Sequence, residues 1–131
     1  GSKAPPQMAR RKFQVTDVVA AARQWASDPE SASPRVRATA VRYSLEELAH
    51  MAPGGSVEVR VPPFGVTQIL KGTTHTRGTP PAVVETDAST WLSLVTGQLQ
   101  WDDAVASGKV HASGQRTDLS TFFPLVKLER S

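Results

Sequence analysis

The chain has 131 residues, a formal net charge of +3, 39% hydrophobic and 21% charged residues, the proportions of one globular domain rather than a disordered tail. It contains no cysteine, which removes disulfides, thiol nucleophiles and thiolate metal sites together. The longest unbroken apolar run, Val18 to Ala22, falls far short of the ~20 residues of a membrane span. No charged-then-apolar leader is legible, so the expectation is a cytoplasmic protein without stable membrane insertion.

Charge is unevenly placed. Residues 1–50 carry eight basic against five acidic residues, whereas 51–131 carry seven of each. The run Arg10-Arg11-Lys12 has the form of a nucleic-acid or anionic-membrane contact. No aromatic residues interleave with it and the body of the chain is balanced, so it reads as a solvated arm with no nucleic-acid partner. Residues 1–12, with Pro5-Pro6 and an apparent expression scar at Gly1-Ser2, are expected to form a disordered basic arm, and 13–131 a single domain.

From Thr16 the pattern turns helical. Thr16 is the expected N-cap, and Val18, Ala21, Ala22 and Trp25 share a face that ends at Asp28-Pro29. A second helix is predicted from Pro34 to about His50, with Val36, Ala40, Tyr43, Leu48 and Met51 near helical spacing. Ser44-Leu45-Glu46-Glu47 has capping-box form, which allows a break there. Pro53-Gly54-Gly55 stops the helix. Val57, Val59 and Val61 then alternate with Glu58 and Arg60, predicting a strand with the valines toward the helices. Gly65 to Lys71 is a second strand, Thr73 to Pro81 a loop or short edge strand, and Ala82 to Thr86 a third strand. Asp87 caps a helix holding Trp91, Leu92, Leu94 and Val95, closed by Gly97. A short helix covers Asp102 to Ser107. Lys109 to Ser113 is a strand with Val110 and Ala112 on one face, closed by Gly114. Thr117 opens a last helical stretch with Leu119, Phe122 and Phe123 pointing one way, which Pro124 ends or kinks.

Catalytic signatures are missing from this pattern. His50, His75 and His111 fall in different elements without H-x-x-x-H or H-E-x-x-H spacing, so they are not expected to converge on a metal. Ser56 lacks the G-x-S-x-G elbow of an exposed nucleophile. Gly108-Lys109 is not a phosphate loop, and Asp102-Asp103 suit a helix N-terminus. The polar loop Thr74 to Gly78 reads as surface. No catalytic residue, metal or cofactor is expected. The excess lies instead in large apolar residues after Asp87: Trp91, Leu92, Val95, Leu99, Trp101, Val105, Leu119, Phe122, Phe123, Leu125 and Val126. A short kinked helix cannot bury all of its share against one sheet, so a ligand, a partner chain or more of the same protein is expected to cover the remainder.

Residues from about Val57 to Phe123 resemble the sterol carrier protein type 2 superfamily. Thr86 to Leu99 is similar to that family's strand, helix and "TGKL"-type turn, and Trp101 to Gly114 to its "A-x-x-x-G-K-x-x-x-x-G" segment. Ser56 to Gly65 and His75 to Pro81 look like the bacterial, mainly actinobacterial, branch, in which the module occurs alone or behind a thiol-dependent isomerase-type bundle. The resemblance implies an α+β fold: a mostly antiparallel five-stranded sheet with helices on one face around an apolar cavity, here preceded by two N-terminal helices. It also implies non-enzymatic binding or transport of a lipid, fatty acyl chain or sterol-like molecule. Carried onto this chain, it places Trp91, Leu92, Val95, Leu119, Phe122 and Phe123 at the cavity, with Gln68, Thr76 and Arg77 as candidates for polar groups at its mouth. The alternative is a protein-interaction or accessory module, derived from the C-terminal domain of an isomerase-type enzyme, on which a second copy or partner docks through the C-terminal apolar segment.

Overall fold

The computed structural model describes residues 14–70, 82–114 and 118–127. Helix α1 (Val15–Ser27) buries Val18, Ala21, Ala22 and Trp25, the stripe read from spacing. Its N-cap is Gln14 rather than Thr16, because Asp17 is the third helical residue and accepts the Gln14 N–H at 3.1 Å. Helix α2 (Pro34–Met51) starts where expected, with Ser33 as N-cap accepting the Val36 N–H at 3.2 Å. It runs unbroken through Ser44. That hydroxyl bonds back to the Ala40 carbonyl at 2.7 Å instead of capping a new helix. The two helices pack together across the short connection 28–33.

Strands β1 (Val57–Val61), β2 (Gly65–Ile69), β3 (Ala82–Thr86) and β4 (Val110–Ser113) form a sheet in the order β2-β1-β3-β4. Val57, Val59 and Val61 are fully buried, while Arg60 is exposed and Glu58 half-exposed, as alternation requires. The expected mostly antiparallel five-stranded sheet needs correction: the described sheet has four strands and is mixed. β1 is antiparallel to β2 but parallel to β3, and β3 is antiparallel to β4. Period-two patterning assigns faces and carries no direction, so it cannot separate these cases. The edge strand or loop expected over Thr73 to Pro81 lies outside the described residues.

Strand β2 stops at Ile69, two residues short of expectation. Leu70 takes a left-handed φ of 66°, and its carbonyl accepts the Ser56 N–H at 2.9 Å and the Ser56 hydroxyl at 2.8 Å. Ser56 is thus a structural tie at the sheet end. Helix α3 (Ala88–Val95) is capped by Asp87, whose carboxylate accepts the Thr90 N–H at 2.8 Å and the Thr90 hydroxyl at 3.0 Å. Helix α4 (Trp101–Ala106) buries Trp101 and Ala104. In β4 only Val110 is buried; Ala112, on the same face two residues on, is exposed on the last strand of the described sheet. The predicted final helix is a single 3₁₀ turn, Ser120–Phe122. Proline disfavours helical backbone in the residue before it, and Phe123, preceding Pro124, is extended at φ −104° and ψ 144°. The expected cap Thr117 lies outside the described residues.

Candidate functional site

Helix α3 carries Trp91, Leu92, Leu94 and Val95, all fully buried and spread over nearly half of its circumference, roughly 160° at 3.6 residues per turn. A stripe that wide needs cover from more than one direction. From one side comes α2. The Trp91 indole Nε1–H donates to the Ser44 hydroxyl at 2.8 Å, and Ser44 is itself buried. From another comes the C-terminal segment 118–127, which lays Leu119 and Val126 into the core. The Val126 N–H donates to the Val95 carbonyl at 3.0 Å, giving a partner to one of the carbonyls that a helix C-terminus leaves unpaired.

Phe123 sits between two tryptophans. Its ring meets Trp91 edge-on, with centroids 5.5 Å apart and planes at 84°, and stacks on Trp101 at 5.9 Å and 12°. Such pairs add to the burial of their area. Close approach of the segment depends on Gly97, which takes φ +83° and would put a Cβ 3.3 Å from the Pro124 Cβ. Where these parts meet, Gly97, Leu99, Trp101, Ser120, Phe123 and Pro124 help line a cleft of about 80 Å³. Ligand pockets commonly measure roughly 300–1,000 Å³, so the cleft marks a seam rather than a filled-size binding cavity. The apolar cavity expected from the sequence is therefore not displayed at this seam.

A second, open groove of about 400 Å³ lies on the outward face of the sheet, lined in part by Glu58, Arg60, Pro62, Pro63, Val66 and Glu85. Its chemistry is that of a solvated strand face. The Arg60 guanidinium stands 3.6 Å from Glu58 and 3.8 Å from Glu85, with half of the Arg60 side chain exposed. Exposed pairs of this kind contribute little.

The structure brings most of the predicted site residues into one region. Trp91, Leu92 and Val95 line up on α3, Leu119 is fully buried beside the 3₁₀ turn, and Phe122 and Phe123 are half-buried against the core. Much of the apolar excess in the last segment is thus covered by the chain itself. Sequence reasoning left Ser44, Gly97, Trp101 and Pro124 out of the site. Ser44 was detectable as the lone hydroxyl on the α2 stripe that includes Val41 and Leu48. Gln68 pairs with Glu58 in the register and is exposed on the outward face, away from this region. Thr76, Arg77 and His75 lie outside the described residues; His50 is on α2 and His111 on β4.

Among the described residues, one titratable group at the start of the segment has a displaced pKa. Hydrogen bonds from the Ser120 backbone N–H, at 3.0 Å, and from its hydroxyl hold the Asp118 carboxyl below the usual carboxylate value. Depression favours the folded turn above the unfolded pKa and loses that preference as pH falls through the folded one. Carbon-detected NMR titration is expected to show Asp118 ionising below a free aspartate, and Ser120→Ala to shift it upward.

The elements define an α+β protein: a helix pair, then a mixed sheet with an apolar helix sealed by an extended C-terminal segment. The chain belongs to the bacterial SCP (sterol carrier protein) ortholog family, whose model matches residues 33–125. Comparison with curated proteins gives no match. No helix among the described residues is long and apolar enough to cross a membrane.

Proposed function

We propose that this domain binds or transports an apolar ligand, of the fatty acyl, lipid or sterol-like class, between α3 and the segment 118–127, without catalysing a reaction on it. The observation that carries this reading is the contrast between what the segment covers and how it is held. Beneath it lie Trp91 and Val95, fully buried, yet among the described residues one backbone hydrogen bond, Val126 N–H to Val95 O, ties it to the rest of the fold. Among the described residues its remaining hold is apolar contact, which an acyl chain can replace in kind. Each methylene taken from water contributes about 0.8 kcal/mol, so a long acyl chain can offset displacement of the buried Leu119 and Val126 together with the half-buried Phe122 and Phe123. Family membership supports the same reading.

Uptake then requires the segment to move, because the seam of about 80 Å³ holds no more than a few waters' volume. Phe122 would line the opened space. Phe122→Ala is expected to leave the domain folded, at less than the ~3–5 kcal/mol of a fully buried Phe→Ala change, and to alter which chain lengths bind. Titration of both proteins with a panel of fluorescent fatty acids checks this; identical chain-length profiles would remove Phe122 from the site. The full burial of Trp91, Leu92, Val95 and Leu119 favours a second reading, a protein-interaction or accessory module with a closed interior. If wild-type protein binds none of the panel, and native mass spectrometry shows no co-purifying lipid, that second reading replaces the first.

A further inference from the structure

The segment 118–127 sets one ring, Phe123, into a corner made by two tryptophans. Trp91 belongs to α3, is fully buried and is fixed by its indole bond to Ser44 at 2.8 Å. Trp101 opens α4 and is 7% exposed. The Phe123 ring lies 5.5 Å from Trp91 at 84° and 5.9 Å from Trp101 at 12°. The corner thus presents one indole for stacking and another for an edge-on contact. Both walls belong to helices, whereas the ring between them belongs to the segment.

Phe123 does not seal this corner. It is half-buried, and with Trp101, Leu99, Gly97 and Pro124 it lines the cleft of about 80 Å³. Withdrawal of the Phe123 ring joins its place to that cleft, so the space for an occupant is already begun beside it. Ser120 and Pro124 are the other described segment residues at the cleft, and neither carries an aromatic ring. Phe123 is therefore the side chain whose chemistry the corner is shaped around.

An occupant that replaces Phe123 must match what it gives up. A saturated chain regains the buried area but loses the contact between ring faces and edges, which arises from aromatic quadrupoles. A planar aromatic ring regains both. We propose that the corner between Trp91 and Trp101 takes the aromatic ring of an aryl-bearing apolar ligand, with Phe123 holding that place in the closed chain. This inference rests on the proposed binding beneath 118–127 and names the ligand class favoured there. Two aromatic contacts together favour an aryl group over a saturated ring by about tenfold.

The probes are phenylhexanoic acid, with the ring at the chain end, and its cyclohexyl counterpart, which has the same carbon count. Calorimetric titration of the full chain is expected to show about tenfold tighter binding of the phenyl compound. Burial alone predicts the reverse, because the saturated ring removes more apolar surface from water. Trp101→Leu is expected to bring the two affinities within about twofold, while the cyclohexyl affinity stays within about threefold of wild type. Equal or tighter cyclohexyl binding by wild type overturns the inference and leaves apolar binding standing. A phenyl preference that survives Trp101→Leu also overturns it, since the ring then sits elsewhere. If neither probe binds while the fluorescent fatty acids do, the inference fails alone; if nothing binds, the reading beneath it falls too. Should Trp101→Leu fail to fold, NMR contacts between the phenyl protons and the Trp101 indole of wild type decide: their presence supports the corner and their absence overturns it.

Discussion

Trp91→Ala is expected to cost about 3–5 kcal/mol, a large share of the roughly 5–15 kcal/mol that keeps a typical domain folded. Trp91 is fully buried, and its removal withdraws support from two directions at once. Ser44 loses the donor it meets at 2.8 Å, and Phe123 loses the ring it meets edge-on. Three further variants separate packing from hydrogen bonding. Trp91→Phe keeps most of the aromatic volume and deletes the indole N–H. Ser44→Ala alone leaves that N–H buried without an acceptor, at about 1–3 kcal/mol. In the Trp91→Phe background Ser44→Ala is expected to cost much less, because only its back-bonds to the Ala40 and Val41 carbonyls remain. Urea denaturation of the four proteins closes the double-mutant cycle. Equal costs of Ser44→Ala in both backgrounds would show that the bond adds nothing.

The second large effect is expected at Gly114, where β4 leaves the sheet. Its φ is +97°, and a Cβ there would fall 2.8 Å from the Ala82 Cβ and 2.9 Å from the Ala82 Cα. Both penalties act together: left-handed backbone for an L-residue, about 1–2 kcal/mol, and overlap with backbone at the start of β3, about 1–3 kcal/mol. Gly108 supplies the control, since its φ is +80° but a Cβ would meet nothing within 4 Å. Gly108→Ala should therefore pay only the conformational part, and Gly114→Ala roughly twice that or more. Thermal denaturation compares them, and a Gly114→Ala loss no larger than that of Gly108→Ala would refute the close approach to Ala82.

These expectations draw on features the sequence displays to very different degrees. Capping of α3 by Asp87 and burial of Val57, Val59 and Val61 needed only residues within a turn or a strand of one another. The start of α1 was misplaced by two residues because Asp17 suits either the first or the third helical position. At Ser44 a local signal misled. A serine followed by glutamates has capping form, but burial beneath Trp91 gave its hydroxyl another use. At the C-terminus, Pro124 indicated an ending without showing how early it would come.

The sequence by itself determined most of the helices and strands, the buried faces of α1, β1 and α3, the family, and the apolar character of α3 and the last segment. Those properties follow from periodicity, caps and proline geometry, which act over a few neighbouring bonds. Tertiary structure alone decided the parallel pairing of β1 with β3, the bond between Ser44 and Trp91 across 47 residues of sequence, and the seat of Phe123 between Trp91 and Trp101. Each depends on which faces meet when distant segments pack, and apolar attraction, being nondirectional, selects that arrangement only through the shape and hydrogen bonding of the whole core.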